Sequence, residues 1–128
     1  MPYRGGLVVY IVDDDDDVRD STEVLLESDG FEIQGFDSGG AFLQAFDPAA
    51  GICIILDLHM PGISGFQVLD ALHARGNTVP IILFSGRSDV TTEEFTQQSG
   101  VIALLAKPID AQRMIELIEH LVAKRAAA

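Results

Sequence analysis

Five apolar runs recur along the 128 residues: "LVVYIV" (Leu7 to Val12), "FEIQGF" (Phe31 to Phe36), "ICIIL" (Ile52 to Leu56), "PIILF" (Pro80 to Phe84) and "VIALLA" (Val101 to Ala106). The second alternates weakly and reads as an edge strand. The other four are nearly continuous, as strands covered on both faces of a parallel sheet are. Between the runs, apolar residues fall at helical spacing: Val18, Thr22, Leu25 and Leu26; Phe42, Leu43 and Phe46; Val68, Leu69 and Leu72; Met114, Ile118, Leu121 and Val122. "SGFQ" from Ser64 and "TTEE" from Thr91 fit the capping-box pattern, and Asp110 suits the start of the last helix. The helix expected over Thr91 to Ser99 is the weakest, because Phe95 is nearly its only large apolar residue. Strand and helix alternating five times require right-handed crossovers and hence a doubly wound α/β sheet.

With 48% apolar residues, the chain has the material for one core, expected over about residues 7 to 122 of a single domain spanning 1–128. Twenty acidic residues against eight basic ones leave a net charge of -12, which argues against nucleic acid or an anionic membrane as a direct partner. No run approaches the roughly 18 apolar residues of a membrane span. The start "MPYRGG" lacks the apolar core of a signal peptide, so a cytoplasmic location is expected. Cys53, the single cysteine, sits inside "ICIIL" and reads as a buried hydrophobe.

In an open parallel sheet, functional groups gather beyond the carboxyl ends of the strands, where strand order reverses. Asp13 and Asp14 follow the first run, Asp57 the third, Ser85 the fourth and Lys107 the last. Asp13 and Asp14 begin a run of five carboxylates, Asp13 to Asp17. Neighbouring carboxylates about 6 Å apart repel by roughly 3 kcal/mol at an effective dielectric near 20, so a cation or water must offset them. Asp15, Asp16 and Asp17 fit the start of a helix, where free N–H groups and the helix dipole favour acids. Asp13 and Asp14, ending a strand opposite Asp57, fit a metal instead. Carboxylates hold Mg²⁺, one of them can act as a nucleophile toward phosphorus, and a lysine and a hydroxyl supply contacts to phosphoryl oxygens. The set suits phosphoryl transfer to an aspartate.

"VDDD" after the first strand, "ILDLHMPGISG" around Asp57, "FSG" at Ser85 and "AKPI" at Lys107 together resemble the receiver domain of two-component response regulators, over almost the whole chain. The resemblance implies a flavodoxin-like (βα)5 fold with a parallel five-stranded sheet of order 2-1-3-4-5. It implies that Asp57 accepts a phosphoryl group from a sensor histidine kinase or a small phosphodonor. Asp13, Asp14 and Asp57 would hold Mg²⁺ with the backbone carbonyl of His59, while Ser85 and Lys107 would contact the phosphoryl group. The side chain of His59 is expected at the solvent-facing rim, and His73 and His120 on helix surfaces. Output would run through the last two helices and the last strand, the face through which homodimerisation on phosphorylation is common in the family. "IVDDDDDVRDS" and "FDSGGAFL" look like receivers that carry a helix-turn-helix output.

One departure concerns Leu104, which stands where the family commonly has Tyr or Phe. It puts the coupled inward rotation of that aromatic in doubt and shifts the expected switch to the loop from Ser85 to Val90 and the weak helix after it. Rival readings remain. "DDDDV" (Asp14 to Val18) also fits the Asp-x-Asp-x-Val pattern of haloacid-dehalogenase-like phosphatases, but Asp110 is the only aspartate after Lys107 and Asp57 would be idle. A calcium loop on Asp13, Asp15 and Asp17 fails, because Val18 and Val24 stand where Gly and Glu are needed. A pseudo-receiver that binds partners without phosphorylation is the third alternative.

Overall fold

The apolar runs become five parallel strands because each supplies side chains to both faces of one sheet. In the computed structural model, which describes residues 8–28, 30–60, 62–86, 100–106 and 110–127, the strands are β1 (Val8–Val12), β2 (Glu32–Phe36), β3 (Gly51–Asp57), β4 (Ile81–Ser85) and β5 (Val101–Ala106). Four helices are described: α1 (Asp16–Ser28), α2 (Gly39–Ala45), α3 (Gly65–Ala74) and α4 (Ala111–Ala127). The order is β2-β1-β3-β4-β5 with every pairing parallel, as expected. The helix expected over Thr91 to Ser99, Lys107 and Pro108 lie outside the described residues.

Alternation along the central strands divides the core in two. Val8, Tyr10 and Val12 of β1 join Phe42 of α2 and Val68 and Leu72 of α3 on one face. Val9 and Ile11 join Leu26 of α1 and Met114 and Ile118 of α4 on the other. Tyr10 is buried in the first layer, where its ring packs edge-on to Phe42 and Phe46. Its phenol oxygen accepts from the Asp47 N–H at 3.1 Å, satisfying the one polar atom that an all-apolar layer would strand.

β2 is an edge strand, as its alternation predicts. β5 is the other edge, and here the expectation of two covered faces is corrected: Ile102 is 41% exposed and Ala106 is exposed. A continuous apolar run records what a strand can bury. What covers it is set by its neighbours.

Local signals behave as their chemistry requires. The Asp15 carboxylate accepts from the N–H groups of Asp17 and Val18 at 3.0 and 3.2 Å, capping α1. Such a cap contributes about 1 kcal/mol. Ser64 and Gln67 form the reciprocal capping box of α3, and Asp110 accepts from the Arg113 N–H at the start of α4. Cys53 is buried in β3, and burial pushes its thiol up to about 12. A group raised this way stays neutral below its unfolded value near 9, and the associated stability is lost as pH rises from there toward 12. Iodoacetamide at pH 8 should therefore leave the folded protein unmodified and alkylate Cys53 once urea unfolds it. Rapid alkylation of folded protein, measured by mass, would contradict this burial.

Candidate functional site

β1 has β2 on one side and β3 on the other, so the chain reverses its direction of sheet growth there. The crevice beyond the carboxyl ends of β1 and β3 is the switch point of the sheet. Asp13 follows β1 and Asp57 closes β3; in register, Val12 stands beside Leu56 and Asp57 beside Phe84 of β4. Strand ends thus deliver the acids that the sequence singled out to one place.

Carboxylate oxygens of Asp13, Asp14 and Asp57 all lie within 4.8 Å of one another. Asp13 and Asp57 are 1% and 2% exposed, whereas Asp14 is open to solvent. At this spacing each charged pair repels by about 3 kcal/mol at an effective dielectric near 20. The site therefore favours a cation. Its donors are all hard oxygens, close enough to one another to share one ion, and Mg²⁺ prefers such ligands. The chemistry of this donor set fits that ion.

Backbone groups hold the two buried acids. The Asp13 N–H donates to the Phe36 carbonyl at the end of β2 at 3.1 Å, and one Asp13 carboxylate oxygen accepts from the Asp15 N–H at 3.0 Å. An Asp57 oxygen accepts from the His59 N–H at 3.1 Å, and the Leu58 N–H donates to the Phe84 carbonyl at 3.0 Å. Ser85, the last residue of β4, is 4% exposed and stands in register with Ala106, the residue before Lys107. Leu104 of β5 is half-buried against the α2 and α3 side of the core.

One expectation is corrected. The His59 ring is half-buried and packs edge-on to Phe66 with centroids 6.1 Å apart, and its Nε2 is buried with no hydrogen-bond partner among the described residues. The turn causes this. Gly62 takes a positive φ of 74°, the Gly65 N–H returns to the Leu58 carbonyl at 3.2 Å, and α3 starts directly over the turn with Phe66 near His59. His73 and His120 are exposed on helices, as expected.

Two residues near the acids exceed what the sequence reading assigned. Gly65 closes the "ILDLHMPGISG" stretch and carries no side chain to act with. Yet a side chain there would drive its Cβ into the Asp57 carbonyl oxygen and to within 2.5 Å of the Leu58 Cα, so its absence lets α3 approach β3. Arg19 was not singled out at all; its guanidinium donates to the Asp13 carbonyl oxygen at 2.8 Å. The available signal was an arginine three residues after Asp16, the spacing of neighbours on a helix.

The described helices include none long and apolar enough to cross a membrane. A family profile described as the response regulator receiver domain matches residues 9–119. The transcriptional regulatory protein FixJ of Azorhizobium caulinodans is 39% identical over 112 residues, covering 88% of this chain and 53% of the relative. FixJ of Bradyrhizobium diazoefficiens is 33% identical over 114 residues, 89% of this chain and 56% of the relative. The chain thus spans about half the length of these relatives. Among solved structures, the response regulator StyR superposes with a TM-score of 0.83 at 34% identity, covering 94% of this chain and 63% of that one. The crystal structure of FixJ-N superposes with a TM-score of 0.77 at 34% identity, covering 90% and 92%. None of these comparisons supports the phosphatase alternative. Five parallel strands in this order, carboxylates gathered at the switch point and a profile match over residues 9–119 lead to one conclusion: the chain belongs to the response regulator receiver domain family.

Proposed function

We propose that Asp57 is the phosphoacceptor of a phosphorelay and that residues 1–128 form one receiver unit. A sensor histidine kinase, or a small donor such as acetyl phosphate, supplies the phosphoryl group. The observation that carries this reading is the approach of three carboxylates within 4.8 Å of one another at the strand ends, two of them buried.

Asp13, Asp14 and Asp57, with the backbone carbonyl of His59, would hold Mg²⁺. Such an ion screens the carboxylates from one another and neutralises charge on the transferring phosphoryl oxygens. An Asp57 oxygen attacks phosphorus; its new O–P bond forms as the bond from phosphorus to the donor's nitrogen or oxygen breaks, and the donor leaves with the electron pair. The His59 N–H orients the Asp57 carboxylate. Ser85 and Lys107 contact the phosphoryl oxygens, a hydroxyl and an ammonium being suited to bind them.

Phosphorylation then shifts the face formed by the last two helices and the last strand, and homodimerisation through that face follows. Exposure of Ile102 on the edge strand β5 supports this placement. Leu104 supplies no aromatic ring to rotate, so the shift runs through the loop after Ser85. The receiver acts in the cytoplasm and binds no nucleic acid itself, in keeping with a net charge of -12. The names of the FixJ relatives support service to a transcriptional regulator.

Incubation with acetyl phosphate and Mg²⁺ should add one phosphoryl mass that maps to Asp57 and is lost on treatment with hydroxylamine. EDTA should prevent the uptake. A protein that stays unmodified at millimolar Mg²⁺ would support the pseudo-receiver instead, and repeated turnover of a phosphomonoester would support the phosphatase.

A further inference from the structure

We infer that Arg19 is a positioning residue for the metal-binding carboxylates, fixing the peptide between Asp13 and Asp14 and so setting where the Asp14 carboxylate stands. This rests on the Mg²⁺ reading above and adds a residue to it. Arg19 lies in the first turns of α1, yet its side chain is only 15% exposed, because it folds back across the strand end. One terminal nitrogen donates to the Asp13 carbonyl at 2.8 Å and the other to an Asp16 carboxylate oxygen at 2.6 Å. Its Nε stands 3.9 Å from a Glu23 carboxylate oxygen, one helical turn further on. The stem and Glu23 together cover Gly35 of β2, where an added Cβ would collide with the Glu23 carboxylate and lie 3.2 Å from the Arg19 Cδ. The guanidinium is therefore anchored on both sides before it reaches Asp13.

Asp13 is tied through its N–H and its carboxylate, but neither bond fixes the peptide that leads to Asp14. A peptide is a rigid plane, so holding its oxygen sets the direction in which the next Cα departs. Asp13 and Asp57 are buried with their carboxylates held by backbone N–H groups, whereas exposed Asp14 makes no side-chain hydrogen bond among the described residues and is placed by its backbone. The rigid fork of arginine suits this task, since one planar group must bond a carbonyl and a carboxylate together.

Charge and position predict opposite signs. Were Arg19 merely a cation beside the acids, removing it would tighten Mg²⁺ binding. As a positioning group, its loss should weaken binding. Because the chain has no tryptophan, Mg²⁺ titrations are best followed by ¹⁵N amide shifts. Arg19→Met keeps the packed stem and removes both donors; its Kd for Mg²⁺ should rise about tenfold, the scale seen when a partner supporting a metal ligand is lost. Arg19→Lys, which keeps the charge and an ammonium donor but loses the planar fork that reaches both partners, should weaken binding by less than the methionine variant. At saturating Mg²⁺ the methionine variant should take phosphoryl from acetyl phosphate at nearly the wild-type rate, a recovery that general structural damage would not allow. Should Arg19→Met fail to fold, Arg19→Ala is titrated with the same expectation. Equal or tighter Mg²⁺ binding by the folded methionine or alanine variant, with wild type binding normally, overturns this inference alone. A wild type whose Asp13, Asp14 and Asp57 amides ignore Mg²⁺ overturns the metal reading itself.

Discussion

Asp57→Asn should abolish phosphoryl uptake while making the metal-free protein more stable, a pairing of opposite effects that few other substitutions in the chain would give. Asparagine is nearly isosteric with aspartate, and its amide oxygen can still accept from the His59 N–H, so the turn after β3 is kept. The nucleophile is lost because an amide oxygen is far less able to attack phosphorus than a carboxylate. Stability rises because one of three carboxylates within 4.8 Å of one another loses its charge in a site that is mostly buried. We expect a gain of about 1 to 3 kcal/mol without metal, from the size of a single charged pair at an effective dielectric near 20. Mg²⁺ should narrow this gap. At a hundredfold excess over its Kd the ion stabilises wild type by about 2.7 kcal/mol, and the variant, with a weaker site, by less. Urea denaturation with and without Mg²⁺ measures the stabilities, and intact mass after acetyl phosphate measures uptake. Undiminished uptake would move the acceptor to another residue, and a less stable metal-free variant would show that these carboxylates do not strain the fold.

The parts of this arrangement that were legible in the sequence are those written in side-chain chemistry at fixed spacing. β1, β3 and β4 are covered on both faces, so their apolar runs are unbroken, and Asp13, Asp57 and Ser85 stand at their ends where the fold class requires them. Asp15 and Ser64 were readable as caps for the same local reason. What escaped depends on tertiary geometry. "VIALLA" does not reveal that β5 is an edge with Ile102 exposed, since an edge differs from a central strand only in its neighbours. The inward packing of His59 follows from where α3 begins over the turn, which no property of His59 encodes. Arg19 acts on a backbone carbonyl, and every residue carries one of those, so its partner leaves no mark in the sequence. Lys107, readable as the end of the last strand, lies outside the described residues, and its role rests on the family resemblance.

Gly65→Ala should be among the most damaging single-methyl additions in the chain, and it should injure the site as well as the fold. Gly65 begins α3 directly against β3, and the atoms that a Cβ would strike are the Asp57 carbonyl oxygen and the Leu58 Cα, at 2.5 Å. Both are backbone, so no rotamer change can relieve the collision. Either α3 lifts off the sheet, loosening Val68, Leu69 and Leu72 from the core, or the Asp57–Leu58 peptide moves and carries the Asp57 carboxylate with it. Overpacking of this kind costs about 1 to 3 kcal/mol and sometimes more, and we expect the upper end here because the obstruction is rigid. Gly62→Ala is the matched control. Gly62 has a φ of 74° but open space around the added carbon, so its cost should be limited to about 1 to 2 kcal/mol for holding an L-residue in a left-handed conformation. Urea midpoints rank the two stabilities, while Mg²⁺ titration and acetyl phosphate uptake read the site. Gly65→Ala should lose both stability and Mg²⁺ affinity; Gly62→Ala should lose stability alone. Equal Mg²⁺ affinity in the two variants would mean that the start of α3 does not position Asp57.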